Sequence, residues 1–266
     1  MAAVRILCVV RMVPDSAAPI RLREDGKDID RAGVSFVCDP FDEIGIAQAI
    51  GLQETRRDVR ETVALAIGPA GAREALWTAI GMGIGRGVHV CDAGLDMRDE
   101  LLLARVAAAA VRADSERFDL ILCGKQSIDN DAGEFGPALA ECLDVPHVGA
   151  ATHLELSDDG TRLTARRSGE SADETVECSL PAVVTCERGL AEPRYVALTR
   201  LMRAKRSPIQ VLTLAELGVS IRSEARCEVV SLDSPPPRPP CRMLEGTPEA
   251  MARQLVDLLR QEARVE

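Results

Sequence analysis

The first half of the chain alternates apolar runs with helical patterns, and this order constrains the fold more than any other feature. Four runs are apolar along nearly their whole length, at residues 4–10, 62–68, 88–92 and 118–124. Strands buried on both faces have this pattern, whereas strands with one face in water alternate polar and apolar residues. Helical patterns lie between these runs, at 39–54, 72–82 and 101–113. We predict an α/β fold, a doubly wound and mostly parallel sheet with helices on both faces.

From about residue 151 the sequence favours a small antiparallel addition to that sheet. Strand-like residues flank an SDDG turn, and the stretch ends in the apolar run LPAVVT. After residue 206 the prolines of SPPPRPP forbid regular structure and favour an extended arm, and a final helix is predicted at 247–262. We therefore predict an α/β nucleotide-binding domain at 1–206 and a C-terminal arm at 207–266 that wraps a partner subunit.

Composition limits the functions open to the chain. Of 266 residues only 2% are aromatic and the formal net charge is −10, which argues against nucleic acid as the main partner. Nine scattered cysteines without a CxxC pair indicate reduced structural thiols, and the three histidines show no metal-ligand spacing. No apolar run reaches about 18 residues, and no signal sequence precedes the first strand. We expect no membrane insertion and a cytoplasmic location.

Two loops at strand ends have the composition of a phosphate site. Gly68-Pro69 follows one strand, and GKQSIDNDAG at 124–133 follows another, ahead of a helix predicted at 137–143. Backbone amides, flexible glycines and a helix amino end suit a phosphate. The chain has no Walker motif, and GMGIGRG at 81–87 is interpreted as the carboxyl cap of a helix. On spacing alone, an Asx-rich turn without a ligand explains 124–133 equally well.

The segment LAEPRYVALTRLMRAKR, residues 190–206, combines a proline, the single tyrosine and a basic run in an acidic protein. Nothing in a soluble core requires these residues together, so we expect a presented segment. An exposed Leu190 could bury its side chain in a partner for about 1.5 to 3 kcal/mol, while the basic run would speed encounter. The alternative is that Leu190 packs inside its own subunit.

Motifs spread along the whole chain resemble those of the beta (small) subunit of electron transfer flavoproteins. CVVRMVPD is similar to the family's CVKxVPD, DPFDEI to its NPFDE, GPAGA to its GPA, and GKQSIDND to its GKQAIDDD. The most specific resemblance is LPAVVTCERGLAEPRYVALTRLMRAKR, which follows the family's LPAVVT, LNEPRY and KAKKK. The five similar segments occur in the family's order.

The resemblance implies a heterodimer in which an alpha subunit holds most of a redox FAD and this chain buries an AMP. The matching positions assign the AMP contacts to Val9, Asp39, Ala66, Gly124, Lys125, Gln126, Ser127, Ile128, Asp129, Asn130, Asp131 and Ala132. No residue of this chain is then expected to be catalytic.

The resemblance also implies partners outside the heterodimer. Flavoprotein dehydrogenases of the acyl-CoA dehydrogenase type would donate electrons, and a membrane quinone reductase or another acceptor would receive them. Leu190 corresponds to the family's docking leucine. The remaining docking positions implied are Glu192, Pro193, Arg194, Tyr195, Arg203, Lys205 and Arg206. Arg194 is explained equally well as a structural ion-pair residue or as a neighbour of the flavin.

Three departures from the family pattern leave alternatives open. Asp39 and Ala191 stand where the family usually has Asn, and GEFGP follows the loop where AMP-containing members have NQTGQ. The GP ending resembles the electron-bifurcating branch, whose beta subunit holds a second FAD in place of AMP and whose complex uses NADH. A stand-alone adenine-nucleotide-binding module is the alternative from another class. An adenylate-transferring enzyme would need an SGGxDS-type loop, which the chain lacks.

Overall fold

A nine-stranded sheet forms the centre of the molecule in the computed structural model, which describes residues 3–221, 225–238 and 240–262. The strands are β1 (Val4–Val10), β2 (Met12–Pro14), β3 (Phe36–Cys38), β4 (Val59–Gly68), β5 (Arg86–Cys91), β6 (Leu120–Gly124), β7 (His147–Leu156), β8 (Arg162–Ser168), β9 (Asp173–Ser179), β10 (Ala182–Cys186) and β11 (Ile209–Leu212). The helices are α1 (Pro40–Thr55), α2 (Arg73–Met82), α3 (Glu100–Ala113), α4 (Phe135–Leu143), α5 (Leu198–Ala204) and α6 (Pro248–Gln261), and a 3₁₀ turn covers Ala70–Ala72.

The strand order is β11-β5-β4-β1-β6-β10-β7-β8-β9, and β2 pairs with β3 in a separate two-stranded sheet. All pairs from β11 to β7 are parallel, and β8 and β9 add antiparallel strands at one edge. From β1 the chain winds outward through β4 and β5, then crosses back to β6 on the other side of β1. The winding direction therefore reverses between β1 and β6, where sheets of this kind bind ligands beyond the carboxyl ends of their strands.

Two core layers cover the sheet, which explains why its central strands are apolar throughout. Along β1, Ile6 and Cys8 pack under α1 and α2, while Leu7 and Val9 pack under α3 and α4. Side chains of a strand alternate between its faces, so a strand covered on both faces needs apolar residues at every position. The predicted fold class, including the antiparallel addition, is confirmed.

Helix starts follow the sequence signals. Asp39 caps α1 by accepting a hydrogen bond from the amide of Phe41, and Pro40 occupies the first turn. Gly83 ends α2 with a φ of 143°, so the interpretation of GMGIGRG as a helix cap is confirmed. Thr247 caps α6 through the amide of Ala250.

The strand β11 was not predicted. It lies inside the segment predicted as an arm and pairs in parallel with β5, at the edge of the sheet. The strand has four residues, three of them apolar, and the central two are exposed, so the apolar run is too short to predict a strand from the sequence. Residues 225–238 contain neither helix nor strand. Within the predicted arm, residues 222–224, Pro239 and 263–266 lie outside the described residues.

All nine cysteines are free thiols. Burial raises the pKa of the Cys8, Cys123 and Cys186 thiols above the ordinary value, so these side chains behave as small apolar groups. Among the residues described, no helix is long and apolar enough to cross a membrane.

An ion-pair cluster closes the amino end of the sheet. Arg5 is 3% exposed and bonds Glu61 (Nε to Oε2, 2.8 Å) and Asp114 (Nη2 to Oδ1, 2.9 Å). Its guanidinium lies 4.4 Å from the ring centre of Phe118. Arg86 bonds the same two carboxylates, at 2.7 and 2.6 Å. Each buried charge therefore has a partner, which is the condition for tolerating it in a core.

We expect Arg5→Met to lower the free energy of unfolding by about 3 kcal/mol, because it removes the buried member of the cluster and leaves the partly buried carboxylates of Glu61 and Asp114 with Arg86 alone. Urea denaturation of the isolated chain measures this. Arg23→Met is the matched control, since the Arg23–Asp25 pair is half exposed, and its effect should stay within about 0.5 kcal/mol. Equal effects of the two substitutions would show that the Arg5 cluster does not stabilise the sheet.

Candidate functional site

The carboxyl ends of β1 and β6 are joined by the carboxylate of Asp42, in the first turn of α1. Its Oδ1 accepts a hydrogen bond from the amide of Gly124 at 2.8 Å, and its Oδ2 accepts one from the amide of Arg11 at 2.9 Å. Asp42 is only 5% exposed. A Cβ on Gly124 would lie 2.7 Å from the Cβ of Phe41 and 2.9 Å from Asp42 Oδ1, so this close approach requires glycine.

Asp39 joins the loop after β6 to the start of α1. One oxygen caps α1 through the amide of Phe41 at 2.9 Å. The other oxygen accepts hydrogen bonds from the amide of Ile128 at 3.0 Å and the hydroxyl of Ser127 at 3.2 Å. Burial raises the pKa of Asp39, and the amides of Ile128 and Phe41 oppose this effect. The structure thus brings together three predicted site residues, Asp39, Ser127 and Ile128.

The rest of the loop folds on itself through short polar contacts. Three of them are Ser127 Oγ to Asp129 Oδ1 (2.6 Å), Gln126 Nε2 to Asp131 Oδ1 (2.8 Å), and the amide of Ala132 to Asn130 Oδ1 (3.0 Å). Asp131 has a φ of 54°, a left-handed conformation that Asp tolerates better than most residues. These are the contacts of an Asx-rich turn, and the turn leaves Asp129 and Asn130 exposed at the carboxyl edge.

Lys125 is held by its own subunit. Its ammonium pairs with Glu187 and lies 5.2 Å from the ring centre of Phe41, while its amide donates to the carbonyl of Cys186 at 3.1 Å. The positive charge is already compensated by Glu187, so Lys125 is not a free cation for a phosphate.

Val9 and Ala66 form the floor of this edge. Val10 is the register partner of Ala66, which places both predicted residues at the ends of adjacent strands. Val9 is 7% exposed and Ala66 is 0% exposed, so their side chains offer a ligand little surface. All twelve predicted cofactor residues nevertheless lie at the carboxyl ends of β1, β4 and β6 or in the segments that follow β6 and precede α1.

The edge fits a nucleotide at the level of donor chemistry. Glu134, the cap residue of α4, makes no side-chain cap bond, so the first amides of α4 lack that partner, and unpaired amides at a helix start suit a phosphate. Exposed Asp129 and Asp131 can accept hydrogen bonds from sugar hydroxyls. The carboxylates of Asp129 and Asp131 repel a phosphate placed beside them, so the start of α4 suits a phosphate better than the middle of the loop.

A buried ion pair beneath the loop was missed by the sequence reasoning. Arg11 binds Glu100 through two bonds, Nη1 to Oε1 at 2.9 Å and Nη2 to Oε2 at 3.3 Å, and its guanidinium lies 5.3 Å from the ring centre of Phe135. The sequence alone assigns Arg11, Asp42 and Glu100 no role in the site. No local pattern shows that these groups meet, because they come from segments up to 124 positions apart.

The predicted docking segment is less exposed at its anchor than expected. Leu190 is half-buried and packs against the core of its own subunit. The exposed apolar side chains follow it: Tyr195 at 93%, Leu198 at 70% and Met202 at 50%. A side chain already in contact with its own core has less surface to offer a partner. The apolar surface of this segment is therefore centred on α5.

Two of the other docking candidates contact side chains of their own subunit, and the remaining ones are exposed. Arg194 makes a two-bond ion pair with Glu54, at 2.7 and 2.6 Å, which agrees with its interpretation as a structural ion-pair residue. Lys205 lies 5.4 Å from the ring centre of Trp77 on α2. The remaining candidates, Glu192, Pro193, Arg203 and Arg206, are exposed.

Comparison with known proteins agrees with these observations. The family model described as "electron transfer flavoprotein domain" matches residues 27–217. The electron transfer flavoprotein subunit beta of Homo sapiens is 36% identical over 255 residues, covering 95% of this chain and 97% of the human protein. The mitochondrial subunit beta of Oryza sativa subsp. japonica is 35% identical over 261 residues, covering 98% and 99%. That of Dictyostelium discoideum is 32% identical over 236 residues, covering 89% and 91%.

The fold is that of a doubly wound α/β protein. The polar loop after β6 lies where the winding direction of the sheet reverses, between β1 and β6. The chain belongs to the electron transfer flavoprotein family, and these relatives bear the name of the family's beta subunit.

The stability of the chain should depend on pH through Asp42. Burial raises the pKa of Asp42 to about 8, and the neighbouring Asp39 carboxylate acts in the same direction. Because the folded pKa exceeds the unfolded one, folding favours the protonated form, and this stabilisation is lost as pH rises from about 4 towards 8. The free energy of unfolding should fall across this range by up to about 1.4 kcal/mol per pH unit.

Urea denaturation at pH 5, 6, 7 and 8 measures this slope. Asp42→Asn should remove most of it, because the asparagine side chain does not titrate. The exposed Asp25→Asn substitution should keep the slope of the original chain. Identical slopes for Asp42→Asn and the original chain would contradict the protonation of Asp42 in the folded state.

Proposed function

We propose that this chain is the beta subunit of a heterodimeric electron transfer flavoprotein. It binds an alpha subunit and holds an adenine nucleotide at the loop 124–132. The observation that carries the proposal is the position of that loop. The segment whose sequence resembles the family's nucleotide motif lies at the reversal point of the sheet, fixed to it by Asp39 and Asp42. Relatives that cover nearly the whole chain support the assignment to the beta subunit.

The chain acts as part of an electron carrier and performs no bond-making chemistry itself. When bound, FAD supplies the redox chemistry, and the alpha subunit holds most of it. Flavoprotein dehydrogenases of the acyl-CoA dehydrogenase type donate electrons, as in fatty acid oxidation, and a quinone reductase or another acceptor receives them. The complex acts in the cytoplasm. The part of this chain is to hold the nucleotide and to dock the donor.

The nucleotide in this subunit is AMP in our proposal, and a second FAD is the alternative. Asp39 supports a nucleotide of either kind, because it fixes the loop from below rather than facing outward. The Gly136-Pro137 pair at the start of α4 favours the second FAD, through its resemblance to the bifurcating branch that uses NADH. A stand-alone nucleotide-binding module would need neither flavin nor alpha subunit.

Co-expression with an alpha subunit from the same genome tests the proposal. We expect a yellow one-to-one complex that releases one FAD and one AMP on denaturation, identified by mass. Release of two FAD and no AMP per complex would show that this subunit holds a second FAD, and would support the bifurcating alternative. A colourless chain that ignores the alpha subunit would contradict the proposal and favour the stand-alone module.

The arm is proposed to clasp the alpha subunit. Helix α6 has an apolar stripe that is not covered: Leu255 is 49% exposed, Val256 45% and Leu259 42%, and no residue of α6 is buried. A helix with an uncovered apolar stripe gains stability mainly by packing that stripe against another surface. The alpha subunit is the partner that the family assignment supplies.

Donor docking is proposed at α5, with Leu190 at its base. Leu198 and Met202 lie one turn apart on the helix, Tyr195 precedes them, and Arg203 and Arg206 flank the surface. An apolar centre with a basic rim fits a partner with an apolar pocket and an acidic rim, because opposite charges speed encounter and apolar contact supplies affinity.

We expect Leu198→Ala and Met202→Ala each to lower kcat/KM for electron transfer from the donor dehydrogenase by about ten-fold, since a buried apolar side chain contributes about 1.5 to 3 kcal/mol. Flavin content and heterodimer assembly should not change. Leu101→Ala is the control, because Leu101 is exposed on α3, on the opposite face of the sheet. A loss of assembly instead of electron transfer would assign this surface to the alpha subunit.

A further inference from the structure

The first turn of α3 contacts the arm directly and reaches the loop after β6 through Arg11. Asp99 caps α3 through the amide of Leu102 at 3.0 Å, using Oδ1. Its Oδ2 accepts hydrogen bonds from the amides of Arg226 and Cys227, at 2.7 and 3.2 Å. Asp99 is 1% exposed. A buried carboxylate therefore holds residues 226–227, which we call the arm root.

A second contact fixes the next part of the arm. The amide of Leu232 donates to the carbonyl of Gly26 at 2.7 Å, in the segment between β2 and β3. Arg98, the neighbour of Asp99, donates to the carbonyl of Lys27 at 3.2 Å. The arm is therefore seated between the start of α3 and the turn at 23–28.

The residue next to Asp99 leads to the loop. Glu100 binds the guanidinium of Arg11, which lies against Phe135 at the end of the loop. The backbone amide of Arg11 and the amide of Gly124, at the start of the loop, share the carboxylate of Asp42. Arg11 and Asp42 thus hold both ends of the loop, and Glu100 connects them to the arm root.

We propose that the first turn of α3 is a relay that couples the seating of the arm on Asp99 to the conformation of the loop 124–135. The seated and released arm are the two states. Release removes two amides from the buried Asp99 oxygen, which would need water in their place, and this displaces the turn that also positions Glu100. Coupling of this kind is reciprocal, so a looser loop also weakens the seat of the arm.

This coupling extends the proposed function but does not depend on it, because it can be measured on the full chain alone. If the loop holds a nucleotide and the arm holds the alpha subunit, the relay makes each binding event favour the other. Cofactor loading and subunit assembly would then be linked through contacts within this chain.

Hydrogen exchange of single amides tests the relay through two substitutions. Asp99→Asn retains an oxygen that can cap α3 but loses the second acceptor for the arm. Glu100→Gln keeps the shape of the side chain but loses the ion pair with Arg11. We expect Asp99→Asn to speed exchange at Gly124 and Arg11 at least five-fold, and Glu100→Gln to do the same at Arg226 and Cys227.

Asp158→Asn is the control, because Asp158 is exposed in the turn between β7 and β8, away from α3, the arm and the loop after β6. It should leave the exchange rates of all four amides within two-fold of those in the original chain. Unchanged protection at Leu102 checks that α3 is still capped. The coupling would be overturned if each substitution changed exchange only at the amides next to it and changed the rates at the other end of the relay by less than five-fold. If Asp99→Asn exposes Leu102 as well, Glu100→Gln alone decides the outcome by the same threshold.

Discussion

The buried carboxylate of Asp42 is the interaction on which the carboxyl edge of the sheet depends. A doubly wound sheet necessarily leaves a gap where its winding reverses, because the loops after the two central strands leave in opposite directions. Here one carboxylate accepts an amide from each side of that gap. Burying a carboxyl group is unfavourable unless its oxygens are bonded, and the two amides provide those bonds. The same contact requires glycine at position 124, which starts the loop.

Other contacts are organised around this bridge. Asp39, one turn earlier in the chain, fixes the middle of the loop through Ile128 and Ser127. Arg11 and Glu100 connect the bridge to α3, and Asp99 connects α3 to the arm. The Arg5 cluster stabilises the opposite, amino end of the sheet. The ion pairs of Arg5 therefore lie at the amino end of the sheet, and the loop 124–132 and the start of α1 meet at its carboxyl end.

The sequence predicted the fold well because its signals are local. Apolar runs reveal strands covered on both faces, and the Asp39-Pro40 start and the Gly83 cap mark the ends of helices directly. β11 was not predicted because its apolar run is only four residues long and its pairing with β5 joins segments far apart in the chain. The sequence predicted the loop 124–132 but not the hydrogen bonds and ion pairs that fix it. The partners of Asp42, Lys125 and Glu100 lie far away in the chain, and only the fold brings them together. Leu190 shows the same limit, since its contact with its own core depends on tertiary packing.

The central claim is that the reversal point between β1 and β6 holds a nucleotide. A crystal structure of the assembled flavoprotein tests it most directly. We expect nucleotide density against Asp39 and residues 124–132, with a phosphate at the amino end of α4. An edge filled only by water and protein, with all nucleotide density on the alpha subunit, would contradict it.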